Sequence, residues 1–167
     1  MSSARINGAD RLAGDAKFVS VCRTVELQVL GFTVWSKNGQ CAAADIRPDV
    51  NGQPIYGVLY EVPEFLVARP TACARNRKSL DEIEAEGTNY VRQKIRLIDS
   101  KNIELVAMTY VVRVRREGLR TSIDYVEHIF RGIQEHGVPD DYRRYVVACV
   151  LQNNEQLAHD LRVRGYA

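Results

Sequence analysis

Four carboxyl side chains lie close together in the sequence and form its most concentrated group that could do chemistry. They are Asp81, Glu82, Glu84 and Glu86. Helical spacing predicts that Asp81 and Glu84 share one face, and that Glu82 and Glu86 share another. A sheltered carboxyl group can take a proton from a bound ligand and return it. An acidic first turn can equally serve only to start a helix, so the pattern alone leaves both interpretations open.

Other chemical motifs are missing from the sequence. It has no glycine-rich nucleotide loop, no G-x-S-x-G elbow and no H-E-x-x-H zinc motif. Its 4 cysteines are far apart, without a C-x-x-C pair, which predicts small buried apolar residues rather than metal ligands or disulfides. The acidic cluster therefore remains the first candidate, and no metal site is expected.

Composition predicts one folded domain over residues 1–167, with segments of about 1–16 and 152–167 peripheral to it. The chain is 46% hydrophobic and 26% charged, which is ordinary globular usage. Its net charge of +2 argues against nucleic acid as the main partner. Without an apolar N-terminal core or a long apolar run, we expect no membrane partner and a cytoplasmic location. The basic run at 113–116 is interpreted as a solvated strand end.

The elements that must position the acidic cluster are a short helix and the strands around it. Ser79 and Glu82 fit a capping box that starts the helix, and Gly87 ends it. A buried strand is predicted upstream over 55–62, where Gly57 indicates a bulge or a close approach to the backbone. Downstream, 90–98 and 103–114 form a predicted hairpin.

Strands come first and helices last, which favours an α+β fold. Strands are predicted at 18–22 and 26–30, and turns at Gly31, Asn38–Gly39 and Asn51–Gly52. A short N-terminal helix is expected from Ser2 or Ser3 through about Leu12. In the last third, a helix capped by Thr121 and closed by Gly137 precedes a second one that begins at Asp140 and Asp141.

Five segments, taken in order, resemble a known family signature. They are 57–60, 80–87, 90–92, 107–110 and 122–142. They are similar to the G-x-V-Y/W, L-D-x-x-E-G, Y-x-R, A-x-x-Y and P-S-x-x-Y…I-x-x-G-A-x-E-x-G-L-P-x-x-Y segments of the γ-glutamylcyclotransferase family, which includes the AIG2-like proteins. The resemblance extends over about residues 17 to 145.

This resemblance implies a small mixed β-barrel flanked by helices. It also implies a transferase- or lyase-type release of 5-oxoproline from a small γ-glutamyl amine or peptide, without metal or organic cofactor. Glu84 matches the family's catalytic glutamate, and Glu86, which precedes the glycine, is the competing candidate. The residues expected to bind substrate are Tyr90, Tyr110, Tyr125 and Gly57.

The sequence departs from the family pattern at the N-terminus and beside Glu84. It lacks the family's first strand with its Y-G-S-N turn, and Ala85 replaces the glycine after Glu84. Two alternatives therefore stay open: another proton-transfer reaction (lyase or isomerase) in the same pocket, or a non-catalytic binding protein. We also expect that a second copy could cover the sheet edge left open, which would give a homodimer.

Overall fold

A computed structural model of the chain describes residues 3–9, 11–36 and 40–167. Its strands are β1 (Lys17–Thr24), β2 (Gln28–Ser36), β3 (Cys41–Pro48), β4 (Tyr56–Glu61), β5 (Tyr90–Asp99) and β6 (Glu104–Val112). Its α-helices are α1 (Ser3–Ile6), α2 (Arg69–Cys73), α3 (Leu80–Ile83), α4 (Ile123–Glu135), α5 (Asp140–Asn153) and α6 (Ala158–Val163). Strands precede the long helices, so the predicted α+β class is confirmed. No helix within the described ranges is long and apolar enough to span a membrane.

The strands form two sheets whose pairings are antiparallel. One sheet has the order β4-β1-β5-β6, and β2 pairs with β3 in the other. The predicted hairpin is β5–β6, paired from Tyr90 opposite Val112 onward. β1 pairs with β5 only over residues 22–24.

The two sheets are joined by isolated hydrogen bonds. The Arg116 N–H donates to the Thr33 carbonyl at 2.8 Å, and the Val112 N–H donates to Asp45 Oδ1 at 3.4 Å. Among the described residues, no strand ladder closes the sheets into the continuous barrel that the resemblance implied. The ladders between the named strands are antiparallel, and an isolated parallel bridge joins Glu86 and Tyr90.

The main core lies between the β2–β3 hairpin and the last three helices. Val126 and Phe130, one α4 turn apart, are fully buried against residues such as Phe32. The Tyr166 ring stacks on Phe130 with centroids 4.6 Å apart, and Leu161 is fully buried. The expectation that 152–167 is peripheral is therefore wrong for its C-terminal part, because this part completes the core.

A second, smaller hydrophobic core packs against α3. Its buried members are Leu12, Ala16, Leu66 and Ala72, and side chains that include Leu80 and Ile83 pack against them. Arg77 ties the N-terminal segment to this core: it donates to the Leu12 carbonyl at 2.9 Å and pairs with Asp15 at 2.7 Å. Leu12 and Ala16 are thus core residues, although 1–16 was expected to be peripheral. The segment before β1 is held next to α3.

Some predicted boundaries are wrong, for local reasons. Gly31 lies inside β2, because the strand continues through it to Ser36. The hydroxyl that caps α4 belongs to Ser122 and accepts from the Tyr125 N–H, so Thr121 is not the cap. The N-terminal helix ends at Ile6, and the turn predicted at 38–39 lies outside the described residues.

Replacing Gly52 by alanine should destabilise the fold by about 2 kcal/mol, because a Cβ there overlaps backbone atoms that cannot move freely. It would clash with the Gln28 carbonyl and lie 3.0 Å from the Asp49 oxygen. Gly57→Ala is the matched control, since a Cβ at Gly57 meets nothing within 4 Å. Urea denaturation of both variants measures the difference, and equal stabilities would contradict the packing described.

Candidate functional site

The turn from α3 into β5 places Glu84. The predicted capping box is present: Ser79 Oγ accepts from the Glu82 N–H at 3.1 Å, and the Glu82 carboxylate accepts from the Ser79 N–H at 3.1 Å. Glu84 is the C-cap, and Ala85 then takes a left-handed conformation with φ 52°. The Ala85 carbonyl accepts N–H groups from Thr88, Asn89 and Tyr90. This cap links the acidic helix directly to the first residue of β5.

One face of the β5–β6 hairpin lies against the acidic helix. Arg92 is opposite Tyr110 in the register, and both bind Asp81: the Tyr110 hydroxyl donates to Oδ1 at 2.8 Å, and Arg92 Nε lies 3.2 Å from the same oxygen. Asp81 therefore fixes α3 to the sheet. Asp81 faces the hairpin while Glu82 caps the helix, so these two carboxylates lie on different faces, as the spacing predicted.

Glu84 forms an ion pair with Arg11. Arg11 Nη1 lies 3.0 Å from Glu84 Oε1, and the side chains are 15% and 23% exposed. The Arg11 guanidinium therefore lies directly beside the Glu84 carboxylate. Sequence reasoning missed Arg11, which precedes Glu84 by more than seventy residues and belongs to no motif.

The charge of Glu84 acts on all three predicted tyrosines. Burial raises the pKa of Tyr90 and Tyr125, and the negative charge of Glu84 raises both further. The pKa of Tyr110 is raised by burial and then by its bond to Asp81, with a further contribution from Glu84. All three hydroxyls are therefore protonated at neutral pH and can donate hydrogen bonds. The Tyr125 oxygen is held in place because it accepts from the Ala44 N–H at 2.8 Å.

Two other predicted site residues lie apart from the cluster. Glu86 is exposed, and its backbone N–H donates to the Asp81 carbonyl at 2.8 Å. Gly57 is an exposed residue of the edge strand β4, opposite Cys22, with β1 and β5 between it and Tyr110. No described protein atom approaches closely enough to require glycine there.

A second carboxylate, Asp45, is buried near the cluster and was missed in the sequence. Its side chain is 2% exposed and accepts from Thr33 Oγ1 at 3.0 Å, from the Val112 N–H at 3.4 Å and from Arg115. The basic run that contains Arg115 was interpreted as solvated. Arg115 is exposed, as that interpretation predicts, and it also pairs with the buried Asp45.

Two grooves in the structure lie away from Glu84. One of about 510 Å³ runs between α1 and α4 and includes His128 and Arg131. The other, of about 520 Å³, lies over β1 and includes Phe18 and His136. Glu84 is not among the residues that line either groove. Within the described ranges, no group of three or more His, Cys, Asp or Glu side chains is arranged to hold a metal ion.

Comparison with solved structures defines the class of fold. A protein described as γ-glutamyl cyclotransferase matches with a TM-score of 0.67 and 20% identity, over 84% of this chain and 76% of the other. An uncharacterized human protein matches with a TM-score of 0.63 and 20% identity, over 78% and 73%. At these identities the likeness shows the fold alone: a γ-glutamyl cyclotransferase-like α+β fold.

The family follows from a sequence model. Residues 54–146 match the model of the AIG2-like family, which is more than half of the chain, so the protein belongs to that family. The match contains β4, the acidic helix, the β5–β6 hairpin and α4. No curated protein matches the chain significantly.

Ala85→Gly should stabilise the protein by about 0.5–1 kcal/mol, because the left-handed conformation strains an alanine but not a glycine. Gly87→Ala is the opposite control: Gly87 has φ 81°, so the change should destabilise by about 1 kcal/mol. Denaturant midpoints of the two variants test both signs. Destabilisation by Ala85→Gly would contradict the cap described.

The two carboxylates should differ in their effect on stability. Asp45→Asn should destabilise by about 2–3 kcal/mol, because a buried charge with several donors loses its pairing. Glu84→Gln should change stability by less than about 1 kcal/mol, because Glu84 is partly exposed and the glutamine amide oxygen can still accept the one hydrogen bond from Arg11. Thermal and urea unfolding measure both, and a larger loss for Glu84→Gln would indicate that the Arg11 pair is primarily structural.

Proposed function

We propose that this protein is a γ-glutamylcyclotransferase-type enzyme that releases 5-oxoproline from a small γ-glutamyl amine or peptide, with Glu84 as the acid/base residue. Membership of the AIG2-like family and the γ-glutamyl cyclotransferase-like fold support the reaction class. A fold alone does not define an activity, so the proposal depends on the chemistry available at Glu84.

The observation that carries the proposal is the setting of the Glu84 carboxylate. It is 23% exposed, follows the cap of α3, and lies close enough to three tyrosines for its charge to affect the pKa of each. A carboxylate of this kind can exchange a proton with a ligand, while neutral hydroxyls donate hydrogen bonds to ligand oxygen atoms. The competing candidate, Glu86, is exposed and has no such surroundings.

The proposed reaction needs three proton transfers and one ring closure. Glu84 takes a proton from the substrate's α-ammonium group, and the free amine attacks the γ-carbonyl carbon, whose π electrons move to oxygen, to form a five-membered ring. The carbonyl then re-forms, the C–N bond to the leaving amine breaks with its electrons on nitrogen, and Glu84 returns the proton to that nitrogen. The ring nitrogen gives its remaining extra proton to the released amine, so 5-oxoproline keeps one N–H and the amine leaves as an ammonium. Because the attack is intramolecular, most of the remaining acceleration comes from orientation.

The tyrosines would supply that orientation. The Tyr90 and Tyr125 hydroxyl hydrogens have no acceptor among the described residues, so both can donate to the developing oxyanion or to the ligand's carboxylate. Tyr110 already donates to Asp81 and therefore contributes mainly to holding α3 in place.

A second candidate function is binding without catalysis, and the Arg11 ion pair favours it. A carboxylate neutralised by its own arginine is a stable element of a fold and needs no reaction to explain it. A binding protein of this kind would hold a γ-glutamyl compound or a related small molecule without turning it over. The Glu84→Gln variant distinguishes catalysis from binding without catalysis.

Glu84→Gln should reduce 5-oxoproline release by about a hundred- to ten-thousand-fold, because the amide cannot accept the proton. The assay uses purified protein and a panel of γ-glutamyl amino acids and amines, with 5-oxoproline measured by mass spectrometry. Glu104→Gln is the surface control, since Glu104 is 54% exposed and lies at the far end of the β5–β6 hairpin. It should leave the rate unchanged.

The remaining outcomes assign the role differently. Loss of turnover in Glu86→Gln but not in Glu84→Gln would transfer the acid/base role to Glu86. No 5-oxoproline from any compound of the panel would contradict the enzyme proposal, and turnover of another metabolite that depends on Glu84 would indicate a different proton-transfer reaction.

A further inference from the structure

Arg11 has more hydrogen-bonding capacity than the structure uses. Its guanidinium has five N–H donors, but Nη1 makes its one bond to Glu84. Nε is buried and has no partner among the described residues. A largely buried guanidinium with unused donors is unfavourable unless another acceptor can reach it.

The Glu84 carboxylate also accepts fewer hydrogen bonds than it could. Oε1 takes the bond from Arg11, and within the described part of the chain Oε2 accepts no hydrogen bond. An ionised carboxylate can accept about four hydrogen bonds. The pair is therefore a single-contact ion pair, although arginine and glutamate commonly form two parallel bonds.

The neighbouring Asp45–Arg115 pair shows what a structural ion pair in this protein is like. Both Asp45 oxygens accept from Arg115, and Thr33 and the Val112 backbone also donate to them. Arg115 donates in addition to the Ile46 carbonyl at 3.4 Å. That pair joins β2, β3 and β6 and has little capacity left, in contrast to Arg11 and Glu84.

The unused capacity matches one class of ligand. Both charges act on the same hydroxyls: the positive charge of Arg11 lowers the pKa of Tyr90 and Tyr125 that Glu84 raises. The head of an α-amino acid carries an ammonium and a carboxylate on one carbon. If it separates the pair, the ammonium faces Glu84 and the carboxylate faces Arg11, so neither protein charge is left unpaired. A ligand with only the ammonium would leave Arg11 without a partner.

We propose that Arg11 is the specificity-determining residue that binds the ligand's α-carboxylate, and that the Arg11–Glu84 ion pair is the closed form of the site, which an α-amino-acid head opens. This inference rests on the proposed function for the location of the site and adds a residue and an order of events to it. Binding replaces the Arg11–Glu84 ion pair with two contacts to the ligand, one from Glu84 to the ammonium and one from Arg11 to the carboxylate.

The test uses two ligands that cannot cyclise. L-norleucine has the complete α-amino-acid head, L-norleucinamide lacks the carboxylate charge, and neither has a γ-carbonyl. Dissociation constants come from calorimetry, and the Arg11 Nε–H signal in ¹H–¹⁵N spectra reports whether the guanidinium changes partner. This signal is assigned by its loss in Arg11→Gln.

We expect wild-type protein to bind L-norleucine at least about ten-fold more tightly than the amide, with a shifted Arg11 signal, because hydrogen bonds to charged groups discriminate at this level. Arg11→Gln should remove the preference, and Arg11→Lys should retain part of it, since it keeps the charge without the planar donor pair. Arg77→Gln is the matched control: it breaks another ion pair of the same N-terminal segment and should keep the preference. Melting curves establish that each variant is folded.

Equal binding of the two ligands by wild type, no binding of either at millimolar concentration, or an equal loss for both in Arg11→Gln would overturn the inference. Other results would contradict either the proposed enzyme activity or the role of Arg11, but not both. Arg11-dependent binding of L-norleucine without 5-oxoproline release would contradict only the enzyme, while 5-oxoproline release unaffected by Arg11→Gln would contradict only the role of Arg11.

Discussion

The turn between α3 and β5 determines where the site residues lie. Three successive N–H groups donate to the Ala85 carbonyl, so the chain passes from the acidic helix into the sheet with almost no intervening loop. Glu84 is fixed on one side of this turn and Tyr90 on the other. The hairpin register then places Arg92 beside Tyr110, and both hold Asp81 in place. This short, hydrogen-bonded turn thus brings polar side chains that are close in the sequence together in space.

The fold also pairs two carboxylates of the site region, Asp45 and Glu84, in different ways. Asp45 is surrounded by donors from several elements and joins the sheets where no strand ladder does. Glu84 is neutralised by one contact from Arg11. Removing a charge from water is unfavourable, and several hydrogen bonds offset that cost better than one. The difference explains why Asp45 is interpreted as structural and Glu84 as the group available to a ligand.

Patterns among residues close together in the sequence predicted much of this arrangement. Contacts between residues far apart in the sequence were missed. The Ser79 capping box, the β5–β6 hairpin and the paired C-terminal helices each depend on residues close in sequence. The resemblance to a family is what indicated Glu84 and the three tyrosines as candidate site residues. Arg11 and Asp45 could not be found in this way, because their partners lie far along the chain and no periodicity marks an ion pair. β3 was missed because its alanines lack the β-branched residues that indicate a strand.

In the proposed function, the Arg11 contact links catalysis to binding. A general base has to face the substrate's ammonium, and in the proposed opening of the ion pair Arg11 leaves its place beside Glu84 Oε1 to that ammonium. A substrate that brings its own carboxylate gives Arg11 a new partner and releases Glu84 in the same event. A ligand without that group would have to leave a largely buried guanidinium unpaired, which is unfavourable. Under this proposal the ion pair excludes simple amines from the site, and selection of the ligand and exposure of Glu84 occur in one step.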